Sequence, residues 1–268
     1  MIKEKDTSIS VMSFNIRYDY PNDRENNWKY RKKRVVNAIL FYHPDILGAQ
    51  EVLHNQLEDL KIHLQDYNVV GVGREDGKTK GEYSAIFYKK DRFEEIDTGY
   101  FWLSENPDAV GTKGWDSACE RIATWIKLKD LRSEKILFIL NTHLDHVGKK
   151  ARKESVNLIL NRLESLAKNL PIVVTGDFNS SPNSSYVKDI TDKDDKRSLT
   201  NSREISEIVY GPNFTFHNFG KTPFEERTTI DYIFVKNNIK VLKHGVLAET
   251  DGKEFLSDHT PIIARVVI

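Results

Sequence analysis

The chain has 268 residues, 39% of them apolar and 10% aromatic, which is enough for one large α/β unit with a substantial core. Its 40 basic and 40 acidic residues cancel to zero net charge, so the basic excess that drives duplex binding by neutralising phosphates is missing. A single cysteine, Cys119, excludes an internal disulfide and a thiolate zinc cluster and reads as a packed or idle thiol.

Met1 to Thr7 carries basic residues but no apolar stretch, so no export signal is read. A cytoplasmic location is expected, unless a signal has been trimmed. No apolar run reaches the length of a membrane span. Ser10 to Ile16 reads as a strand. Val35, Val36, Ile39 and Leu40 share a helical face, which predicts a helix over about 28 to 42 that stops before Pro44. The basic run Lys29-Tyr30-Arg31-Lys32-Lys33-Arg34 is read as the solvated face of that helix. Asp45 to Ala49 is a short buried strand, and Leu57, Leu60 and Leu64 mark a second helix. Ser84 to Tyr88, Ile122 to Leu128 and Ile136 to Leu140 read as strands, the last a continuous apolar run suited to a sheet covered on both faces. A long helix over about 149 to 169 ends at Pro171, and Ile172 to Val174 is another buried strand. Residues 180 to 209 are polar and turn-rich with little strand character. Phe214, Ile230 to Val235, Ile239 to Val246 and Ile262 to Val267 supply further strands. This order predicts two sheets packed face to face and covered by helices, in one domain over 1 to 268.

Several strands end in residues that do not belong in a core: Ser13-Phe14-Asn15, Gln50-Glu51, Asn141-Thr142-His143-Leu144-Asp145-His146, Gly176-Asp177-Phe178-Asn179, Thr229-Ile230-Asp231-Tyr232 and Ser257-Asp258-His259-Thr260. Each alone has an ordinary structural use as a cap, a turn or a satisfied histidine. Six of them on rigid strand ends make a preorganised site. Glu51, Asp258 and the Asn15 amide offer the oxygen donors that a hard cation such as Mg²⁺ takes. His143 and His146 lie three apart but off a strand end, so they do not form a helical zinc pair.

These motifs, in this order, resemble the endonuclease/exonuclease/phosphatase superfamily, which includes DNase I, inositol polyphosphate 5-phosphatases, neutral sphingomyelinases and deadenylases. The resemblance runs from about residue 10 to the C-terminus. It implies a four-layer α/β/β/α sandwich and cleavage of phosphoric esters with Mg²⁺, or Mn²⁺ in its place. By the same resemblance Glu51 binds the metal, with Asn15 and Asp258 as further ligands or positioners of its waters. Asp177 orients or deprotonates the attacking water, Asn179 contacts the phosphoryl group, and His259 meets a nonbridging oxygen with its ring held by Asp231. Whether Asp177 or His259 is the base stays open. Arg17 stands where apurinic endonucleases tend to carry an aspartate, and His143 where they use a tyrosine. DNA repair is therefore disfavoured and the phosphatase, sphingomyelinase and deadenylase branches are favoured. Arg121 resembles the phosphate-contacting arginine of DNase I, against a surface ion pair with Glu120.

Among the aromatics, Trp115 in a polar Gly-rich loop is expected to touch substrate, Trp102 to lie in the core and Trp28 to staple its helix. No exposed apolar hairpin suggests a lipid surface. The expected partner is a small phosphorylated molecule or short nucleotide rather than duplex DNA. Oligomeric state is left open, a monomer being sufficient.

Overall fold

Inward-facing positions of the central strands are apolar at one end of each strand and polar at the other, and that gradient decides where chemistry can occur. The computed structural model of the chain describes residues 7–248 and 254–268; the reading of Met1 to Asp6 lies outside them. Seven strands form one sheet: β1 (Ile9–Asn15), β2 (Ile46–Val52), β3 (Tyr67–Val70), β4 (Tyr83–Lys89), β10 (Ile208–Tyr210), β12 (Lys240–Val246) and β13 (Ile262–Val267), in the order β10-β12-β13-β1-β2-β4-β3. The other sheet holds β5 (Phe93–Trp102), β6 (Ile122–Asp130), β7 (Ile136–His143), β8 (Ile172–Asp177), β9 (Thr200–Asn201) and β11 (Asp231–Lys236), in the order β5-β6-β7-β8-β11-β9. Helices α1 (Trp28–Tyr42) and α2 (His54–His63) cover the first sheet. Helices α3 (Lys149–Ala167) and α4 (Ser185–Ile190) cover the second, and a short α5 (Ser202–Ile205) lies against β11 and β12. The result is the expected four-layer α/β/β/α sandwich.

Period-two alternation sorts each strand between layers. In β7, Leu137 and Ile139 enter the core between the sheets, while Phe138 and Leu140 pack under α3 with Val156, Ile159 and Leu163. In β1, Ile9 and Val11 face the other sheet, while Met12 and Phe14 meet Val35 and Ile39 of α1. Along the inter-sheet face, Ile9 and Val11 give way to Ser13 and Asn15, Leu137 and Ile139 to Asn141 and His143, and Val173 to Thr175 and Asp177.

A fully buried polar layer joins the sheets below the last residues. Asn141 donates to the carbonyls of Ala49 and Ala85, both at 2.9 Å. Its oxygen accepts from Gln50 Nε2 at 2.6 Å and Thr175 Oγ1 at 3.0 Å, and Gln50 also donates to Ser13 Oγ. Gln50 Oε1 alone among the side-chain atoms of this layer has no partner; the paired members fix the register of one sheet against the other. Gly48 makes room for it: a Cβ there would stand 2.1 Å from Thr175 Oγ1 and 2.8 Å from Asn141 Oδ1. Gly48→Ala is expected to cost roughly 2–4 kcal/mol in urea unfolding, from overpacking and broken hydrogen bonds. Thr175→Ala in the same chain should recover part of it. A loss below about 0.5 kcal/mol, the size of an ordinary surface substitution, would mean that the layer yields freely.

Several elements differ from expectation. β5 was not foreseen as a ten-residue strand. Residues 180 to 209 have little strand character, as expected, with only the short β9 and the start of β10, but they also carry the helices α4 and α5. Phe214 is in a loop, beside the isolated bridges from Phe216 to Thr228 and His259. The basic run on α1 is only partly solvated, because Arg31 is fully buried. Trp102 is core as expected, and Trp28 is buried with its indole donating to Asp59 at 2.8 Å. Among the described residues no helix is long and apolar enough to cross a membrane.

Candidate active site

The polar strand ends meet at one mouth of the inter-sheet space. β1 delivers Asn15, β7 His143, β8 Asp177 and β11 Asp231, while the turn before β13 delivers Asp258 and His259. Glu51 arrives by a different device. Alternation would turn it away from its neighbour Gln50, but the β2–β4 register shifts between Ala49 and Val52 and Glu51 adopts φ 58°. A bulge of this kind re-aims one side chain, here at some backbone cost. Asn179 follows β8 at φ 46°, a conformation asparagine tolerates in turns.

One amide connects the acids. Asn15 Nδ2 donates to Glu51 Oε1 and to Asp177 Oδ2, both at 3.0 Å, and its oxygen accepts from the Arg17 backbone N–H. Glu51 Oε2 accepts from the Tyr18 N–H at 3.1 Å. Asp177 Oδ1 accepts from the Asn179 N–H at 2.9 Å, and its Oδ2 lies 3.4 Å from His143 Nε2 and 3.6 Å from His259 Nε2. Asp231 Oδ2 meets His259 Nδ1 at 2.9 Å, and the Thr215 hydroxyl accepts from the Asp231 N–H.

The two histidines are driven to opposite protonation states. Burial works against charge on His259, but Asp231 and Asp177 overcome it and hold the ring well above the usual histidine value. Burial pushes His143 well below it, and the nearby guanidinium groups of Arg121 and Arg74 push the same way. Asn179 Nδ2 donates to the Leu144 carbonyl at 3.0 Å, which identifies the atom as nitrogen; it also reaches His143 Nε2 at 2.9 Å. His143 Nε2 therefore accepts, and its proton is on Nδ1. Both amide hydrogens of Asn179 are thus engaged, and the expected phosphoryl contact requires one to be released. Asp177 is raised to about 7 by burial and the neighbouring Asp231, against the pull of His259. Burial also opposes charge on Glu51, but His259, Asn15 and Arg17 hold its carboxyl below the usual value.

Glu51, His143 and Asp177 place one donor atom each within 4.8 Å of one another. With His143 Nε2 occupied by Asn179, the remaining donors are carboxylate oxygens, a set that fits a hard divalent cation keeping several waters better than it fits zinc. Asp258 faces Arg17 Nη1 at 3.7 Å, and the same nitrogen lies 4.0 Å from Glu51. His146 accepts from Arg121 Nη2 at 3.0 Å instead of pairing with His143. Arg121 is buried, with Asp145 at 3.6 Å rather than in a surface pair with Glu120. Trp115 is half-buried at φ 50°, its N–H on Glu105, and has no hydrogen bond to the cluster. Cys119 is half-buried, 3.8 Å from Asp145.

Sequence reasoning missed Arg17, Arg74 and Glu82 as members of this neighbourhood. Glu82 had a signal, since it continues the inward register of Ser84, Ile86 and Tyr88 one step beyond β4. Two clefts, of about 780 Å³ beside Arg24 and Tyr30 and about 550 Å³ around His43 and Lys243, include none of the clustered residues.

Two sheets between helices, with acids, amides and histidines gathered at one mouth, define a DNase I-like sandwich. The chain belongs to the Endonuclease/Exonuclease/phosphatase family, whose sequence pattern matches residues 12–259. That is a family of phosphoester hydrolases. The chain is 45% identical to a solved endonuclease/exonuclease/phosphatase from Bacteroides vulgatus, covering 98% of this chain and 99% of that one at TM-score 0.94. It is 37% identical to a Bacteroides thetaiotaomicron mannosyl-6-phosphatase, over 97% and 100%, at TM-score 0.88. It is 25% identical to the CCR4-Not complex 3'-5'-exoribonuclease subunit Ccr4 of Saccharomyces cerevisiae, over 92% of this chain but only 36% of that protein. The chain thus spans about a third to a half of the length of such curated relatives.

Proposed function

We propose that this protein, acting as one domain, hydrolyses phosphoric esters of a small phosphorylated molecule, with Mg²⁺ as the resident cation and Mn²⁺ as a substitute. The observation that carries the reading is the cluster in which Asn15 bonds Glu51 and Asp177, Asn179 joins Asp177 to His143, and Asp231 holds His259 beside them. Glu51 would hold the cation, with Asn15 fixing its carboxylate and Asp258 acting across Arg17. When bound, the cation would supply charge stabilisation to phosphoryl oxygens and leaving group.

Asp177 is the base: a carboxylate raised to about 7 is suited to take a proton near neutral pH, whereas His259 already holds its own. Water oxygen bonds to phosphorus as the ester P–O bond breaks. The water proton passes to Asp177, and the departing oxygen is protonated from solvent. His259 offers Nε2–H to a nonbridging oxygen, and Asp231 keeps the ring aimed and charged. Zero net charge and the likeness to the mannosyl-6-phosphatase favour a small sugar-like or nucleotide substrate.

The test is hydrolysis of an aryl phosphomonoester and the matching diester with Mg²⁺, Mn²⁺ and EDTA. Cation-dependent turnover of at least one ester supports the reading; turnover untouched by EDTA contradicts the role given to Glu51. The likeness to Ccr4 favours a second reading, a ribonuclease. Cleavage of oligoribonucleotides that falls steeply with salt would establish it.

A further inference from the structure

Beside Glu51 and His143 lies a small, partly open cavity lined also by Arg74, Glu82 and Arg121. Its volume, about 10 Å³, is room for one water-sized group. Four buried nitrogens on its lining residues have no hydrogen-bond partner: Arg74 Nε, Arg121 Nε and Nη1, and His143 Nδ1; of these, Arg121 Nε faces Asp145 Oδ1 at 3.6 Å and His143 Nδ1 faces Glu82 Oε2 at 3.9 Å. The tautomer derived above makes His143 Nδ1 a donor, so all four are N–H groups. Buried donors without acceptors are uncommon, because each forfeits its bonds to water. Two of them, Arg74 Nε and Arg121 Nη1, belong to guanidinium groups that line one cavity beside acids suited to a cation, and they offer N–H groups to an oxyanion.

Arg74 is held in place by its neighbours. Its Nη1 donates to Glu82 Oε2 at 2.7 Å, its backbone N–H to the Glu82 carbonyl at 3.2 Å, and its own carbonyl accepts from the Trp102 indole at 2.6 Å. The intervening turn is tied by Asp76 Oδ1, which accepts from the N–H groups of Lys78 and Lys80. A guanidinium fixed in this way loses little freedom on binding, and its planar fork matches the oxygens of a phosphate.

We infer that Arg74, braced by Glu82, joins Arg121 as a second phosphate-binding guanidinium and restricts the site to terminal phosphate groups, making the enzyme a phosphomonoesterase. This rests on the proposed phosphoester hydrolysis. A monoester dianion brings two charges and three nonbridging oxygens to two guanidinium forks. A diester brings one charge and two nonbridging oxygens to the same forks. Glu82 is a positioning residue that sets the orientation of Arg74.

The experiment compares wild type, Arg74→Met, Arg74→Lys and Glu82→Gln on the aryl monoester and diester, and measures binding of inorganic phosphate by calorimetry in the presence of Mg²⁺. Wild type should prefer the monoester. Arg74→Met should lower kcat/KM for the monoester by about 10²-fold, the loss expected for one charge-assisted pair, while diester turnover changes less than about threefold. Phosphate affinity should weaken in parallel, and Arg74→Lys should restore part of both. Glu82→Gln should raise KM for the monoester with kcat nearly kept, which a merely structural brace would not do. Equal losses on both esters, or undiminished phosphate binding in Arg74→Met and Arg74→Lys, overturn the inference. A wild type that prefers the diester also overturns it while leaving the hydrolase reading intact. If neither ester is turned over, that reading fails, and phosphate binding that depends on Arg74 still decides whether the anion site exists.

Discussion

Asp177→Asn is expected to lower kcat by about 10³–10⁵-fold while leaving the fold intact, and His259→Ala by about 10²–10⁴-fold, losses typical of a base and of a preorganised charge donor. The larger loss belongs to Asp177 because it takes the proton, accepts from Asn15 and completes the charge set that keeps His259 protonated. The pH profile should carry the same assignment. Burial and Asp231 raise Asp177, so it is protonated and inactive below about 7, and activity should rise as pH rises through that value. A cation bound beside it favours the ionised form and moves this limb lower. The alkaline limb, where His259 loses its proton, lies well above 6.5 because Asp231 and Asp177 oppose that loss. The limbs belong to a coupled set, so Asp231→Asn should bring the alkaline limb down.

Stability gives an independent reading of the same carboxyl. A group whose folded value is raised from 3.8 to about 7 costs stability above 3.8, increasingly so until about 7. Asp177→Asn should therefore melt no lower than wild type at pH 8, an advantage that disappears below pH 4. An inactive variant that also melts well below wild type at pH 8 would count against a strained base and for a structural role.

How much of this was legible in the sequence depended on whether burial left a periodic trace. β7 and α3 were readable because Leu137 to Leu140 and Val156, Ile159 and Leu163 pack into two layers the chain cannot avoid burying. The ends of β1, β7 and β8 were readable for the opposite reason, since Asn15, His143 and Asp177 break an apolar pattern. β5 left little trace: it is the edge of its sheet, and residues 94 to 98 are all exposed, so Glu94, Glu95 and Asp97 interrupt any alternation. Glu51 was found by its motif, not by its strand, because only a register shift turns it into the site. Arg74 and Glu82 are brought to His143 by a turn and a strand far from it in sequence, a juxtaposition that no local pattern encodes.

Arg31 shows a pattern that was present and set aside. Trp28, Arg31, Val35 and Ile39 recur at helical spacing, which puts Arg31 in the buried stripe of α1 and not among its solvated lysines. Its guanidinium donates to the carbonyl of Asn26, to that of Ile16 at 2.8 Å, to that of Leu256 at 2.7 Å and to that of Arg17 at 3.1 Å. Burial lowers its pKa to about 10, partly offset by Asp258 and Asp23, so it stays charged at neutral pH. One side chain thus clasps the loop that follows Asn15 and the segment that leads into Ser257, Asp258 and His259. Arg31→Met should cost roughly 3–5 kcal/mol in urea unfolding, because four carbonyls lose their donor inside the protein. Arg31→Lys should recover little, since an ammonium cannot reproduce a planar fork spread over four acceptors. Both variants should also lose hydrolysis beyond the fraction unfolded, as the two loops that carry Glu51's partners and His259 are no longer tied to α1. A cost below about 1 kcal/mol would mean that water replaces the guanidinium at these carbonyls and that the clasp is not what holds the two loops.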